Sequence, residues 1–261
     1  MRKLIIVLLI MLLSIPSMGQ RAGHRIVVPG SSQSKANVVS KPKTKAKPKT
    51  KTAAKSSTGS KVSQEAQDTP YYGQLTIGIT KYEGYIVNGK PHGQGTYFYH
   101  GGDKYVGDFY YGAKHGQGTY YFASGDKFVG SFVNGNFHGQ GTYYYVNGDR
   151  AVGSWIDDER NGEFTTYYTD GSEIIARYKE GKLNGDFTAY LASGDKIVGK
   201  YVDGKRNGSC TTYYADGSKI INNYVDGKLN GLCTLYDKDH TYITALYKDD
   251  ELVSVKERGT W

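Results

Sequence analysis

Three histidines at one repeating position are the residues best placed to do chemistry. His92, His115 and His138 each precede a glycine and lie 23 residues apart. Imidazoles are common zinc ligands, but each ligand nitrogen must come within about 2.1 Å of the ion. If each repeat contributes two antiparallel strands, equivalent residues lie about 9.5 Å apart. We therefore expect these histidines to stabilise turns, and we predict no metal site and no cofactor.

The cysteines also occupy one repeating position. Cys210 and Cys233 are the only 2 cysteines, and they too are 23 residues apart. One strand should separate them, which gives a Cα distance of about 9.5 Å, whereas a disulfide needs less than about 7 Å. We expect two reduced, partly buried thiols.

Other catalytic patterns are weak. The Gly-Gln-Gly segments at 93–95, 116–118 and 139–141 are followed by neither a helix nor the Lys-Ser/Thr of a phosphate-binding loop. The acidic residues fall in turns and on strand surfaces, although the sequence leaves open a carboxylate pair for glycosidase chemistry. We predict a protein that is not an enzyme, with a carbohydrate- or lipid-active enzyme on the face of the array as the alternative.

The elements that position these residues repeat with the same period. Thr96, Thr119, Thr142, Thr165, Thr188, Thr211 and Thr234 keep the step of 23 residues, which indicates an array whose units pack only on their neighbours. Runs rich in aromatic and β-branched residues alternate with turns such as Asn88-Gly89 and Asp203-Gly204. Helical periodicity is missing after residue 70. The sequence predicts an all-β fold: an elongated, single-sheet antiparallel array of hairpins.

One aromatic position stands out as a candidate interaction face. Alternation along a strand places Tyr105, Gly107 and Phe109 on one side of the sheet. These rings either pack across strands in place of a conventional core, or form a surface for a peptide, a glycan or a lipid. The candidate residues are Phe109, Phe132, Trp155, Tyr178, Tyr201, Tyr224 and Tyr247.

The repeat unit resembles the MORN repeat. The match is clearest in KYVGDFYYGAKHGQGTYYFASGD, which covers residues 104–126, and in the units on either side of it. From about residue 150 the units resemble the divergent bacterial variant, because Asn replaces His, and Phe164, Phe187, Cys210 and Cys233 replace the second glycine of HGQG. The resemblance implies a twisted single-sheet β-solenoid that serves as a scaffold, spacer or interaction surface. Lipid binding has been proposed for the family.

The N-terminal part of the chain has a different composition. A basic start and an apolar run from Leu4 to Leu13 predict a signal peptide over 1–19, cleaved after Gly19, with an uncleaved anchor as the alternative. Residues 20–70 are rich in Lys and Pro and predict a disordered tether. They hold 11 basic and 2 acidic residues, whereas residues 71–261 hold 20 basic and 23 acidic residues, a net charge of −3. The array therefore has no electrostatic support for binding nucleic acid.

These observations predict four regions. They are the signal peptide at 1–19, the tether at 20–70, a MORN-like array at 71–250 and a C-terminal extension at 251–261. We predict an exported scaffold or binding protein of the cell envelope, periplasmic or secreted. Its partner is an unknown protein or an anionic envelope polymer or lipid head group, with no specific nucleic acid and no membrane span after the signal is removed.

Overall fold

The computed structural model describes residues 69–261 as one antiparallel sheet of 19 strands without helices. The predicted signal peptide and most of the predicted tether lie outside the described residues. The strands are β1 Tyr71–Ile77, β2 Thr80–Val87, β3 Lys90–Phe98, β4 Lys104–Tyr110, β5 Ala113–Tyr121, β6 Lys127–Val133, β7 Asn136–Tyr144, β8 Arg150–Ile156, β9 Glu159–Tyr167, β10 Glu173–Lys179, β11 Lys182–Tyr190, β12 Lys196–Val202, β13 Lys205–Arg206, β14 Gly208–Tyr213, β15 Lys219–Val225, β16 Lys228–Leu229, β17 Gly231–Tyr236, β18 Thr241–Lys248 and β19 Glu251–Thr260.

Each strand pairs with the strands before and after it in the chain. β13 and β14 both pair with β12, and β16 and β17 both pair with β15, so each couple is one interrupted strand. The predicted all-β, single-sheet antiparallel fold is confirmed. The segment predicted as a C-terminal extension is the last strand, β19, which pairs along β18. The described residues contain no helix that could span a membrane.

Two-residue turns close the hairpin of every repeat. In the turn between β4 and β5, Tyr111 and Gly112 both have positive φ, at 45° and 98°, and Tyr110 pairs with Ala113. Two successive residues of positive φ define the type I′ turn, whose twist matches that of the flanking strands. Asn, Asp and Gly fill most of these positions because they tolerate that conformation best.

A bulge lies at the repeated pair that ends in glycine, which is His-Gly in the first three units and Asn-Gly in the later ones. Gly107 pairs with Gly118, and Phe109 pairs with Lys114, so Asp108 alone faces the three residues 115–117. Gly116 takes up the extra length with a φ of 62°. Bulges bend strands and increase their twist.

The bend folds the sheet over one of its own faces. In a straight strand, residues 114 and 120 would lie about 20 Å apart, at roughly 3.3 Å per residue. The Lys114 ammonium nevertheless lies 4.5 Å from the centre of the Tyr120 ring. Bending thus lets a single sheet enclose a core without a second layer.

Candidate functional site

The seven rings of the predicted interaction face are buried. Relative exposure is 4% for Phe109, 1% for Phe132, 1% for Trp155, 5% for Tyr178, 5% for Tyr201, 7% for Tyr224 and 3% for Tyr247. The prediction that they form a surface for a partner is therefore corrected: they form the core. The bend at each bulge is the reason, because it encloses the face that carries them.

Contacts within the core run from one repeat into the next. Phe109 meets Tyr82 and Tyr105 edge to face, with ring centroids 5.0 and 5.1 Å apart. Tyr105 in turn meets Phe132 at 4.8 Å. Such geometry is favourable for aromatic pairs beyond the area that they bury. The aromatic position that the sequence predicted as a recognition surface therefore packs neighbouring units against each other.

Cations enter this core at alternate repeats. Lys114, Arg160 and Arg206 share one position, which Phe137, Leu183 and Leu229 fill in the units between. The Lys114 ammonium lies within 5.9 Å of four ring centres, those of Tyr99, Tyr105, Tyr120 and Phe132. Burial lowers the pKa of Lys114 to about 8. Arg160 donates a hydrogen bond to Tyr178 Oη at 3.1 Å and another to Tyr145 Oη. Facing aromatic rings attract a cation and partly offset its desolvation.

The opposite face of the sheet is open to solvent and carries a second periodic row. Cation and aromatic alternate from strand to strand at paired positions: Lys104 pairs with Tyr121, Tyr121 with Lys127, Lys127 with Tyr144, Tyr144 with Arg150, and Arg150 with Tyr167. In this cation–tyrosine ladder each cation lies 4.4 Å from the centre of a tyrosine ring. The couples are Lys104 with Tyr121, Lys127 with Tyr144, and Arg150 with Tyr167. Tyr121 and Tyr144 are 39% and 36% exposed.

Beyond Tyr167 the ladder continues less regularly. Glu173 takes the cation position between Tyr167 and Tyr190. Lys196 then lies 5.4 Å from the Tyr190 ring centre, and Lys219 lies 4.5 Å from that of Tyr236. The uninterrupted part of the ladder is therefore the part from Lys104 to Tyr167.

A neutral ladder of Thr and β-branched apolar residues runs beside the cation–tyrosine ladder. Thr119 pairs with Val106 and Val129, and Thr142 pairs with Val129 and Val152. Beyond it, Gln117 and Gln140 donate hydrogen bonds to Ser131 and Ser154 on the neighbouring strands. The solvent face therefore presents parallel rows, each one residue wide.

The histidines and cysteines are separated as the repeat predicts. His92 and His115 contact Tyr110 with ring centroids 5.6 Å apart in each case, and within residues 69–261 no group of His, Cys, Asp or Glu is arranged to hold a metal ion. Cys210 and Cys233 are both free and buried. Burial raises the pKa of both thiols, which keeps them protonated.

A family model described as "MORN repeat" matches residues 82–104, 105–127, 128–150 and 198–219. These four segments each match a MORN repeat. No curated protein matches the chain.

The solved structures that match the chain have low sequence identity to it and low TM-scores. A TCP domain of SAS-4 of Drosophila melanogaster, in complex with a proline-rich motif of Ana2, has 14% identity and a TM-score of 0.36, and the match covers 60% of this chain and 84% of that chain. The TCP10 domain of Danio rerio CPAP has 12% identity and a TM-score of 0.39, with 71% and 99% covered. At such TM-scores we draw no functional conclusion from either structure.

The packing of the repeats changes near residue 150. In the units that have Gly95, Gly118 or Gly141, an aromatic ring from the preceding strand packs against the glycine. A Cβ added to Gly118 would lie 2.4 Å from Tyr105 Oη. In the next unit Ala151 replaces that ring, and Phe164 replaces that glycine. The ring then reaches the same core from the opposite strand, with Phe164 at 5.3 Å from Trp155.

Aspartates of the MORN repeats join one unit to the next. Asp126 accepts hydrogen bonds from the Val146 backbone N–H at 2.8 Å and from Tyr143 Oη at 2.9 Å. Asp149 accepts one from the Thr169 backbone N–H at 2.9 Å. Both aspartates line a cleft of about 660 Å³. These bonds give Asp126 and Asp149 a structural role in the sheet. Asp170, the third carboxylate of the cleft, accepts a hydrogen bond from the Ser172 backbone N–H at 2.9 Å.

Sequence reasoning missed the cation–tyrosine ladder. Its signal was present, because Lys104, Lys127 and Arg150 lie 23 residues apart, as do Tyr121, Tyr144 and Tyr167. Periodicity alone does not tell which of two alternating aromatic positions faces solvent. The bulge decides the matter, since it determines which face the sheet encloses.

Proposed function

We propose that this protein is an exported, non-enzymatic scaffold or binding protein of the cell envelope, and that the solvent face of its repeat sheet binds the partner. The supporting observation is that the two faces of the sheet differ in exposure and in side chains. One face holds the core, while the other presents periodic rows of side chains that are regular from β4 to β9. A periodic open surface is the usual binding device of repeat proteins.

MORN repeats in an extended sheet fit a scaffold or binding protein. The pattern at residues 1–19 supports export, since a basic start precedes an apolar run that ends in small residues. The Lys-rich segment that follows would then separate the array from its point of attachment or bind anionic polymer itself.

A carbohydrate- or lipid-active enzyme is less well supported than a binding protein. Glycosidase chemistry needs a pair of carboxyl groups free to act on a sugar. Asp126 and Asp149 instead accept backbone hydrogen bonds from the next repeat.

Export and retention can be tested with the full chain. We expect a mature protein that begins at Gln20 and fractionates with the envelope or the medium. A chain that keeps Met1 and stays with the cytosolic fraction would contradict export. Retention on washed envelope material should fall when solvent-face residues are changed and stay unchanged when turn residues are changed.

A further inference from the structure

We propose that the uninterrupted part of the cation–tyrosine ladder, from Lys104 to Tyr167, binds a linear anionic polysaccharide that lies across the strands. This proposal rests on the proposed binding function and specifies its ligand. The site is formed by three identical couples, Lys104 with Tyr121, Lys127 with Tyr144, and Arg150 with Tyr167.

Charge selects an anionic ligand. Residues 71–261 hold 20 basic and 23 acidic residues and are slightly acidic as a whole, yet four successive units place a cation at this position, because Lys81, which pairs with Phe98, precedes the three cations of the ladder. Glu173 ends the run in the fifth unit. The Lys-rich segment of this chain cannot occupy the ladder, because both are cationic.

The geometry selects a linear polymer with a long repeat. The cations stand on every second strand, about 9.5 Å apart. The ladder is one residue wide, and the Thr–Val ladder beside it carries no charge. A membrane surface would contact several such rows at once. Phosphates of a nucleic acid strand recur every 3.4 Å or so along the helix axis, a much shorter step than the ladder offers.

A polysaccharide with an acid group on every second sugar meets these requirements. Its acid groups would pair with the cations, while the intervening sugars would pack their C–H faces on the exposed parts of Tyr121 and Tyr144. Each tyrosine also offers a hydroxyl for hydrogen bonding at low entropic cost. Because each cation already lies over a tyrosine ring, less side-chain entropy is lost when the ligand binds.

The test compares two variants of the full chain that lose the same charge. Lys104→Gln/Lys127→Gln/Arg150→Gln removes the ladder cations. Lys182→Gln/Lys205→Gln/Lys228→Gln removes three exposed lysines at the first strand residue after the turn in three successive units, and we call it the turn variant. The probes are hyaluronate, which carries a carboxylate on every second sugar, polygalacturonate, which carries one on every sugar, and neutral dextran.

We expect the ladder variant to bind hyaluronate roughly tenfold or more weakly than the unchanged chain, and the turn variant to stay within about twofold. Affinity should rise with oligosaccharide length until three cations are spanned, about 19 Å. Dextran should not bind. The ladder substitutions should weaken the binding of polygalacturonate by a smaller factor than the binding of hyaluronate.

Equal losses in the two variants, or no loss in either, would overturn the proposal. It would also be overturned if the ladder variant lost more affinity for single-stranded DNA or for phosphatidylglycerol vesicles than for hyaluronate. If hyaluronate binding is unaffected but solvent-face changes still release the protein from envelope material, the ligand is wrong and the binding function stands.

Discussion

At the scale of single residues, the array fills its core with two different arrangements of side chains. Tyr105 opposes Gly118 in one repeat, whereas Ile174 stands with Phe187 three repeats later. The ring has moved to the other strand, an aliphatic residue takes its former place, and both versions leave the core closed: Tyr105 is 0% exposed and Phe187 2%. Close packing makes the cost of changing one partner depend on the other.

Tyr105→Ile and Gly118→Phe should therefore compensate each other. Gly118→Phe alone should cost about 2–4 kcal/mol, because even its Cβ overlaps Tyr105. Tyr105→Ile alone should cost about 2 kcal/mol through the cavity that it leaves. Urea unfolding should show that the double variant costs less than the sum by about 1–3 kcal/mol. As a control, the free-energy costs of Tyr105→Ile and Gly141→Phe should add in the double variant. Compensation between these two substitutions would contradict a specific pairing of Tyr105 with Gly118.

Lys114 should make stability depend on pH. Burial lowers its folded-state pKa to about 8, below the ordinary 10.5, so the unfolded chain binds the proton more tightly. The free energy of unfolding should then rise with pH above about 8, by roughly 1.5 kcal/mol between pH 8 and pH 9.5. Tyrosines with raised pKa values, such as Tyr120, act in the opposite direction only near pH 10 and above. Lys114→Leu, which copies Leu183, should abolish the rise, and an unchanged slope would assign it to another group.

At the scale of the element, each hairpin is positioned by its turn, its bulge and one link to the next unit. The turn and the strands could be predicted from the sequence, because Asn-Gly and Asp-Gly between aromatic runs are strong local signals. The bulge could not, although the His-Gly pair that forms it was the most regular feature of the chain. Its consequence, which face is enclosed, depends on pairing between strands and not on local propensity.

Asp126 should contribute to stability through that link. Asp126→Ala removes two hydrogen bonds and leaves the Val146 N–H without its acceptor, so we expect a loss of about 2–4 kcal/mol in thermal or urea unfolding. Tyr143→Phe removes only one of the bonds and should cost about 1 kcal/mol. The exposed Asp186 serves as the control, and a similar loss for Asp186→Ala would mean that charge, not the link, is responsible.

At the scale of the whole molecule, contacts stay between neighbouring strands, so stability should be nearly a sum over units. Deleting residues 127–149, one period of 23 residues, should leave a folded sheet of lower stability with the same far-ultraviolet circular dichroism per residue. Deleting residues 127–137 should instead prevent cooperative folding, because it removes one strand and reverses the direction of all later ones. Equal effects of the two deletions would contradict the neighbour-only architecture.

The sequence predicted the overall architecture better than the site. Period, strand content and the separation of Cys210 from Cys233 follow from spacing alone. The assignment of Phe109 and its equivalents to a binding face failed, because two aromatic rows alternate along the chain and only the folded sheet distinguishes core from surface. Tyr121 and Tyr144 were visible in the repeat, but nothing local marked them as exposed.

The central claim is that the solvent face of the sheet is the binding surface, and site-specific protection tests it most directly. A cysteine is introduced at Thr142 on the solvent face or at Lys205, the first strand residue after a hairpin turn, while the buried Cys210 and Cys233 remain in place. Thiol labelling is then followed with and without washed envelope material. We expect slower labelling of Thr142→Cys when envelope is present and an unchanged rate for Lys205→Cys. Protection of Lys205→Cys with no change at Thr142→Cys would contradict the account.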